Sequence, residues 1–255
     1  MQPYPDWLLV LAWAYLAICV VTALVIVIDL QRLIPKMWIM NLVWPITALY
    51  LGPVALWLYD RTRSVATKDS PSADEKAKEK MKLMDPTREQ ISAAVIHCGA
   101  GCTLGDIIGE GGLFLLGGAS FIAGSDFATK LFVDLLLAYT FGIFFQYFTI
   151  VPMRGLSPLK GIGAAIRADT ISIAAFELGM FGWMIVTRYI LFPEPNRLHP
   201  DSVVFWLMMQ IAMIIGCITA YPANLWLIKK QWKEKMPQYS SLREKRHHEI
   251  PRRVA

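Results

Sequence analysis

The sequence predicts an all-α integral membrane bundle of about six transmembrane helices, with both termini cytoplasmic. Three observations carry that expectation. Hydrophobic residues fill 55% of the 255 positions, and the mean hydropathy is +0.43. Five or six segments offer the roughly 20 mostly apolar residues that a bilayer-crossing helix needs. Lys and Arg collect in alternate connections, as the positive-inside rule requires.

Taken in order, the spans are 7–28, 38–58, 90–123, 128–152, 160–191 and 203–228. The first follows MQPYPDW, which has no basic n-region, and it exceeds a signal-peptide core, so it reads as a retained helix. The third and fifth are too long for a minimal straight span. Gly111-Gly112 and Gly117-Gly118 are expected breaks in the third, and the fifth is expected to begin at the interface around Gly161 and Gly163. With a cytoplasmic N-terminus, the inner segments 60–89, 153–167 and 229–253 hold eight, three and nine Lys and Arg. The outer ones hold five: two in 29–37, then Lys130, Arg188 and Arg197. The organisation is then 1–59 as helices one and two and 60–89 as a charged linker. Residues 90–230 form a four-helix domain, and 231–255 a basic tail. Within the linker, Ser72 or Asp74 can cap a helix supported by Glu75–Lys78 and Glu79–Lys82.

Composition also excludes functions. The net charge of +5 lies in loops and tail with no nucleic-acid motif, so no nucleic-acid partner is expected. Cys19, Cys98, Cys102 and Cys217 all fall in apolar segments, which argues against a secreted disulfide framework. Phosphate-loop, zincin and nucleophile-elbow motifs are absent. His97 is the only histidine in a span, so no pair can clamp a haem.

The exception to the apolar pattern is HCGAGCTLGDIIGE at 97–110. Residues four apart on a helix drift by only about 40°, so Cys98, Cys102, Asp106 and Glu110 form one column. Beside it runs a second column, His97, Gly101, Gly105 and Gly109, whose glycines admit a close neighbour. Charged groups near a bilayer centre cost roughly 2.5–3.5 kcal/mol each and commonly mark an ion, proton or substrate site. Thiols, imidazole and carboxylates suit a transition metal. Plain packing of thiols with carboxylates protonated or paired to Arg167 ranks second. A redox dithiol ranks third, because Cβ atoms at i, i+4 stand about 5–6 Å apart and a disulfide wants roughly 3.5–4.5 Å. Asp169 and Glu177 on the fifth span, Asp134 and Gln146 on the fourth, and Gln210, Met213 and Cys217 on the sixth can face the strip. Counting from the predicted ends puts Cys98 and Cys102 in the inner third, and Glu110, Glu177 and Met213 near mid-membrane. Asp134 reads as an outer-interface residue.

MNLVWPITALYLGP at 40–53, HCGAGCTLGDIIGE at 97–110 and FQYFTIVPMRGLSP at 145–158 form a recognisable pattern with RADTISIAAFELGMFGWM at 167–184 and FWLMMQIAMIIGCITAYPANLWLIKK at 205–230. Through them the chain resembles bacterial membrane proteins of domain-of-unknown-function family 4396. The resemblance implies a multi-span protein. Some members are joined to cupredoxin-like or multicopper-oxidase regions, which favours copper by analogy and implies a cupredoxin-like or oxidase partner. It supplies no catalytic residues.

The expected function is handling or transport of a transition metal, copper favoured, at His97, Cys98, Cys102, Asp106, Glu110, Glu177 and Met213, with the lipid bilayer and the ion as partners. The alternatives are a membrane oxidoreductase using the same cluster as a redox metal or dithiol centre, and a structural subunit of a membrane complex.

Overall fold

The computed structural model describes residues 4–31, 33–34, 38–68, 85–118, 120–122, 124–234 and 240–241. Among them are seven α-helices: α1 (Asp6–Leu30), α2 (Met40–Leu51), α3 (Pro53–Lys68), α4 (Arg88–Leu115), α5 (Asp126–Arg154), α6 (Pro158–Val186) and α7 (Val203–Lys229). A π-helical turn, Thr187–Leu191, extends α6. Two short strands, β1 (Leu33–Ile34) and β2 (Ser240–Ser241), pair antiparallel. The chain is an all-α membrane bundle, with α1, α4, α5, α6 with its π turn, and α7 long and apolar enough to cross a bilayer. The Ser72–Lys82 part of the linker and the end of the tail lie outside the described residues.

Local chemistry sets the helix ends. Thr87 and Gln90 cap α4 reciprocally, the Thr87 hydroxyl accepting from the Gln90 N–H and the Gln90 side chain accepting from the Thr87 N–H. The helix runs straight through Gly111-Gly112. It stops where Gly117 and Gly118 take positive φ and donate back to the Phe114 and Leu113 carbonyls. Only the second glycine pair breaks the span, because only there does the backbone turn left-handed. Gly161 and Gly163, expected at the interface, lie within α6.

The second predicted span does not cross. A straight helix would separate Trp44 from Tyr59 by about 22 Å, yet their rings meet at 5.3 Å. They flank Gly52 (φ 53°), a conformation that favours glycine, followed by Pro53 at the first position of α3. The segment is therefore a helical hairpin that enters and leaves at one end of the bundle. Trp38, before α2, packs on Phe148 near the end of α5, and Asp29 at the end of α1 accepts from Tyr59. That end also holds Arg61–Glu89, Arg154–Glu234 and the β1–β2 pair. Tyr4, before α1, instead donates to the Arg197 carbonyl at the opposite end.

The all-α membrane bundle of about six expected spans is thus refined: five of the described helices are long and apolar enough to cross, and Tyr4 and Ser241 lie at opposite ends of the bundle. The hairpin returns Asp29 and the β1 strand to the basic end and leaves Lys130, Arg188 and Arg197 at the other.

Packing centres on α4, which is buried along most of its length, while α1 turns Trp13, Val21 and Leu24 outward toward lipid. The glycine column of α4 admits α5: a Cβ at Gly101 would stand 2.7 Å from Gly142 Cα, and one at Gly105 would strike the Ala138 backbone. Just past α7 the chain turns back into the bundle. There Lys233, fully buried, donates to Asp169 on α6 at 2.5 Å and lies 3.5 Å from the Ala94 carbonyl and the Ser172 hydroxyl.

Gly105→Val is expected to cost about 1–3 kcal/mol through overpacking, read as lost thermal stability in detergent, whereas Gly163→Val, with open space around it, stays near wild type. Lys233→Met leaves a buried carboxylate alone, for which about 3–5 kcal/mol is expected. The Lys233→Met/Asp169→Asn double variant should recover most of that loss in the same assay. Reporter fusions at residues 1 and 255 are expected on opposite sides of the membrane, and reporters on the same side would refute the hairpin.

Candidate functional site

The polar strip of α4 faces inward. His97, Cys98, Cys102 and Asp106 have no exposed surface, and Glu110 is nearly covered. Glu177 on α6 and Met213 on α7 are buried with them. Because α4 ends at Leu115 rather than near 123, the strip sits deeper than expected at one end and shallower at the other. Cys102 lies at the midpoint of the helix, and Glu110 lies five residues from its end. There Glu110 binds Lys130 at 2.8 Å, so its expected mid-membrane position is corrected to the outer end.

Two neighbourhoods follow along the strip. The first gathers thiols around the tip of the α2–α3 hairpin. Tyr50 lies 3.5 Å from the Cys217 sulfur, and Gly99 leaves the room its ring needs, since a Cβ there would be 3.0 Å from the Tyr50 hydroxyl. Cys98 and Cys102 adjoin each other one turn apart, with Glu177 against Cys102. A helix end at this depth leaves carbonyls that lipid cannot satisfy, each costing several kcal/mol if unpaired. Gln210 donates to the Leu49 carbonyl at 2.6 Å, and Tyr15 donates to the Tyr50 carbonyl at 2.8 Å. Helices α1 and α7 thereby hold the tip in place.

The second neighbourhood is acidic. Asp106 lies within electrostatic reach of Glu177, Asp134 and Glu110, contributed by three helices. Both oxygens of Asp106 and of Glu177, and Oδ1 of Asp134, are buried without a hydrogen-bond partner. Lys130 is the one cation beside this group among the described residues, and its hydrogen bond goes to Glu110. Arg167, expected as a counter-ion, lies instead over the Trp232 ring at 4.4 Å. Asp169 is taken by Lys233. Three ionised, unpaired carboxylates would cost about 7–10 kcal/mol at roughly 2.5–3.5 kcal/mol each, so protons or a bound cation must offset them.

His97 turns away from the thiols toward α5. Its Nε2 lies 3.0 Å from the Thr149 hydroxyl, whose own proton goes to the Phe145 carbonyl at 3.0 Å. Nδ1, the other ring nitrogen, is buried with no hydrogen-bond partner. Among the described residues, no three His, Cys, Asp or Glu groups converge closely enough to cage one ion. Buried Met213 adds a thioether to the core but packs among apolar neighbours.

Sequence reasoning underrated four positions. Asp134 is buried rather than interfacial, and its carboxylate fills the space that a side chain at Gly109 would need. Lys130 was a clue, one turn before Asp134 on the same helix. For Tyr50 the one available signal is the adjoining Leu51-Gly52-Pro53 break in an apolar run. Lys233 is hidden among tail lysines, and nothing in its immediate sequence separates it from them.

The strip lies within a recognisable domain. The profile of DUF4396, a domain of unknown function, matches residues 87–233. The match begins at the cap of α4 and ends on Lys233, covering the acidic group, the thiol pair and the buried ion pair. It leaves out α1 and the hairpin, including the 40–53 stretch of the resemblance. No curated protein and no solved structure matches the chain. The chain belongs to the DUF4396 family.

Proposed function

We propose that this protein handles or transports a cation through its polar core, and that the cation is a transition metal, with copper favoured. One observation carries the reading: Asp106, Asp134 and Glu177 are buried in one part of the bundle, and both oxygens of Asp106 and Glu177 and Oδ1 of Asp134 have no hydrogen-bond partner. Such a group requires positive charge and sits where only the protein can admit it. The adjoining Cys98 and Cys102 supply soft donors, which select copper(I) or zinc over harder ions.

The donors line a strip and do not close a cage, which suits passage more than storage. A conducting site must bind well enough to admit an ion and weakly enough to release it. Cys98 and Cys102 would take the ion at the helix midpoint, with Met213 as a further soft donor. Glu177 borders both neighbourhoods and would pass it to Asp106 and then Glu110. His97, through its unpartnered Nδ1, would serve from the basic end. The hairpin tip supports the reading as well, since helices broken at mid-membrane commonly form transport sites.

Metal analysis of protein purified from copper-supplemented cells is the deciding measurement. Near-stoichiometric metal is expected, falling several-fold in Cys98→Ser/Cys102→Ser, while Asp106→Asn/Glu177→Gln slows copper uptake into proteoliposomes. An equally loaded thiol variant would remove the cysteines from the site. A visible band that bleaches on reduction would favour the oxidoreductase, and metal-free protein bound firmly to partners would favour a structural subunit.

A further inference from the structure

At the end of the bundle opposite the basic loops, a cavity of about 40 Å³ opens beside the Glu110–Lys130 pair. On the same measure one water needs about 10–15 Å³, so the space takes a few waters or one small polyatomic ion. Its wall includes Thr187, Arg188 and Arg197. Each carries an unspent donor: the Thr187 hydroxyl and the Nε of both arginines are buried and have no partner. Thr187 is 2% exposed, so bulk water does not serve its hydroxyl.

The charges around the cavity do not cancel. Lys130 and Glu110 neutralise one another, and Arg197 pairs with the exposed Glu194. Arg188 has no ion pair among the described residues; its guanidinium lies over the Phe127 ring at 4.5 Å. The π-helical turn at Thr187–Leu191 places Thr187 and Arg188 here, and such turns recur at functional sites. A carboxylate-lined cation mouth would show the opposite balance.

We infer that this cavity binds a phosphate-type oxyanion, either free or as a phospholipid headgroup. Arginine suits that ligand because its planar fork is always charged and matches phosphate oxygens. The ligand is met by the guanidinium groups of Arg188 and Arg197, and its entry draws the buried Nε groups and the Thr187 hydroxyl toward it, while Lys130 adds charge nearby. The cavity meets the strip at Glu110, whose carboxylate stands in its wall bound to Lys130, and the inference does not rest on the proposed cation path.

The test uses full-length protein in detergent, titrated with inorganic phosphate against chloride at matched ionic strength and followed by thermal stability and equilibrium dialysis. Saturable phosphate binding is expected, weakened about tenfold or more in Arg188→Gln and in Thr187→Val, as loss of a charge-assisted bond predicts. Arg154→Gln, at the basic end, should bind like wild type. Arg188→Lys keeps the charge without the fork, so weak binding by a folded Lys variant assigns the effect to geometry. A parallel arm uses nanodiscs of phosphatidylcholine with phosphatidic acid, read by native mass spectrometry. Binding of the lipid but not of free phosphate, lost in Arg188→Gln, identifies a headgroup site. Equal retention of both phosphate and phosphatidic acid by wild type and Arg188→Gln, or binding of neither by wild type, overturns the inference.

Discussion

A hydrocarbon layer offers no hydrogen bonds, so every polar group at that depth must be enclosed by protein. That constraint explains most of what the chain does. Helix α4 carries too much polarity to face lipid, and the other helices wrap it. Its glycines let α5 approach to backbone contact, which seals the His97 side of the helix. The opposite face, bearing thiols and acids, is closed by α6, α7 and the tip of the hairpin.

The same constraint accounts for the side chains at that tip. Breaking a helix at mid-membrane frees carbonyl groups, and Tyr15 and Gln210 are spent on them. Where the constraint is met by charge, the structure uses lysines at the two ends: Lys130 on Glu110 and Lys233 on Asp169. Between them both oxygens of Asp106 and Glu177 and Oδ1 of Asp134 stay without hydrogen-bond partners. The contrast separates structural acids from the group that the proposed function depends on.

Much of the core was legible in the sequence. The four-residue spacing of Cys98, Cys102, Asp106 and Glu110 put them on one face, and the glycines beside them marked a close helix contact. Both readings rest on helix geometry, which is local. Depth was less legible, because it needs the true helix end, and two glycine pairs competed for that role. The pairing of Asp169 was out of reach: its partner follows the last helix, 64 residues away in sequence. Arg167, two residues from Asp169, was the more obvious cation and turned to Trp232 instead.

Composition and periodicity by themselves determined that this chain is a helical membrane protein with an acidic, thiol-bearing strip turned inward. They did so because hydropathy and the 3.6-residue repeat act within single segments. Only the tertiary structure decided how many segments cross. An apolar run of about 20 residues satisfies the bilayer equally well as a span or as a folded hairpin. The choice at Gly52-Pro53 depends on whether other helices can cap the freed carbonyls, and those helices lie far along the chain.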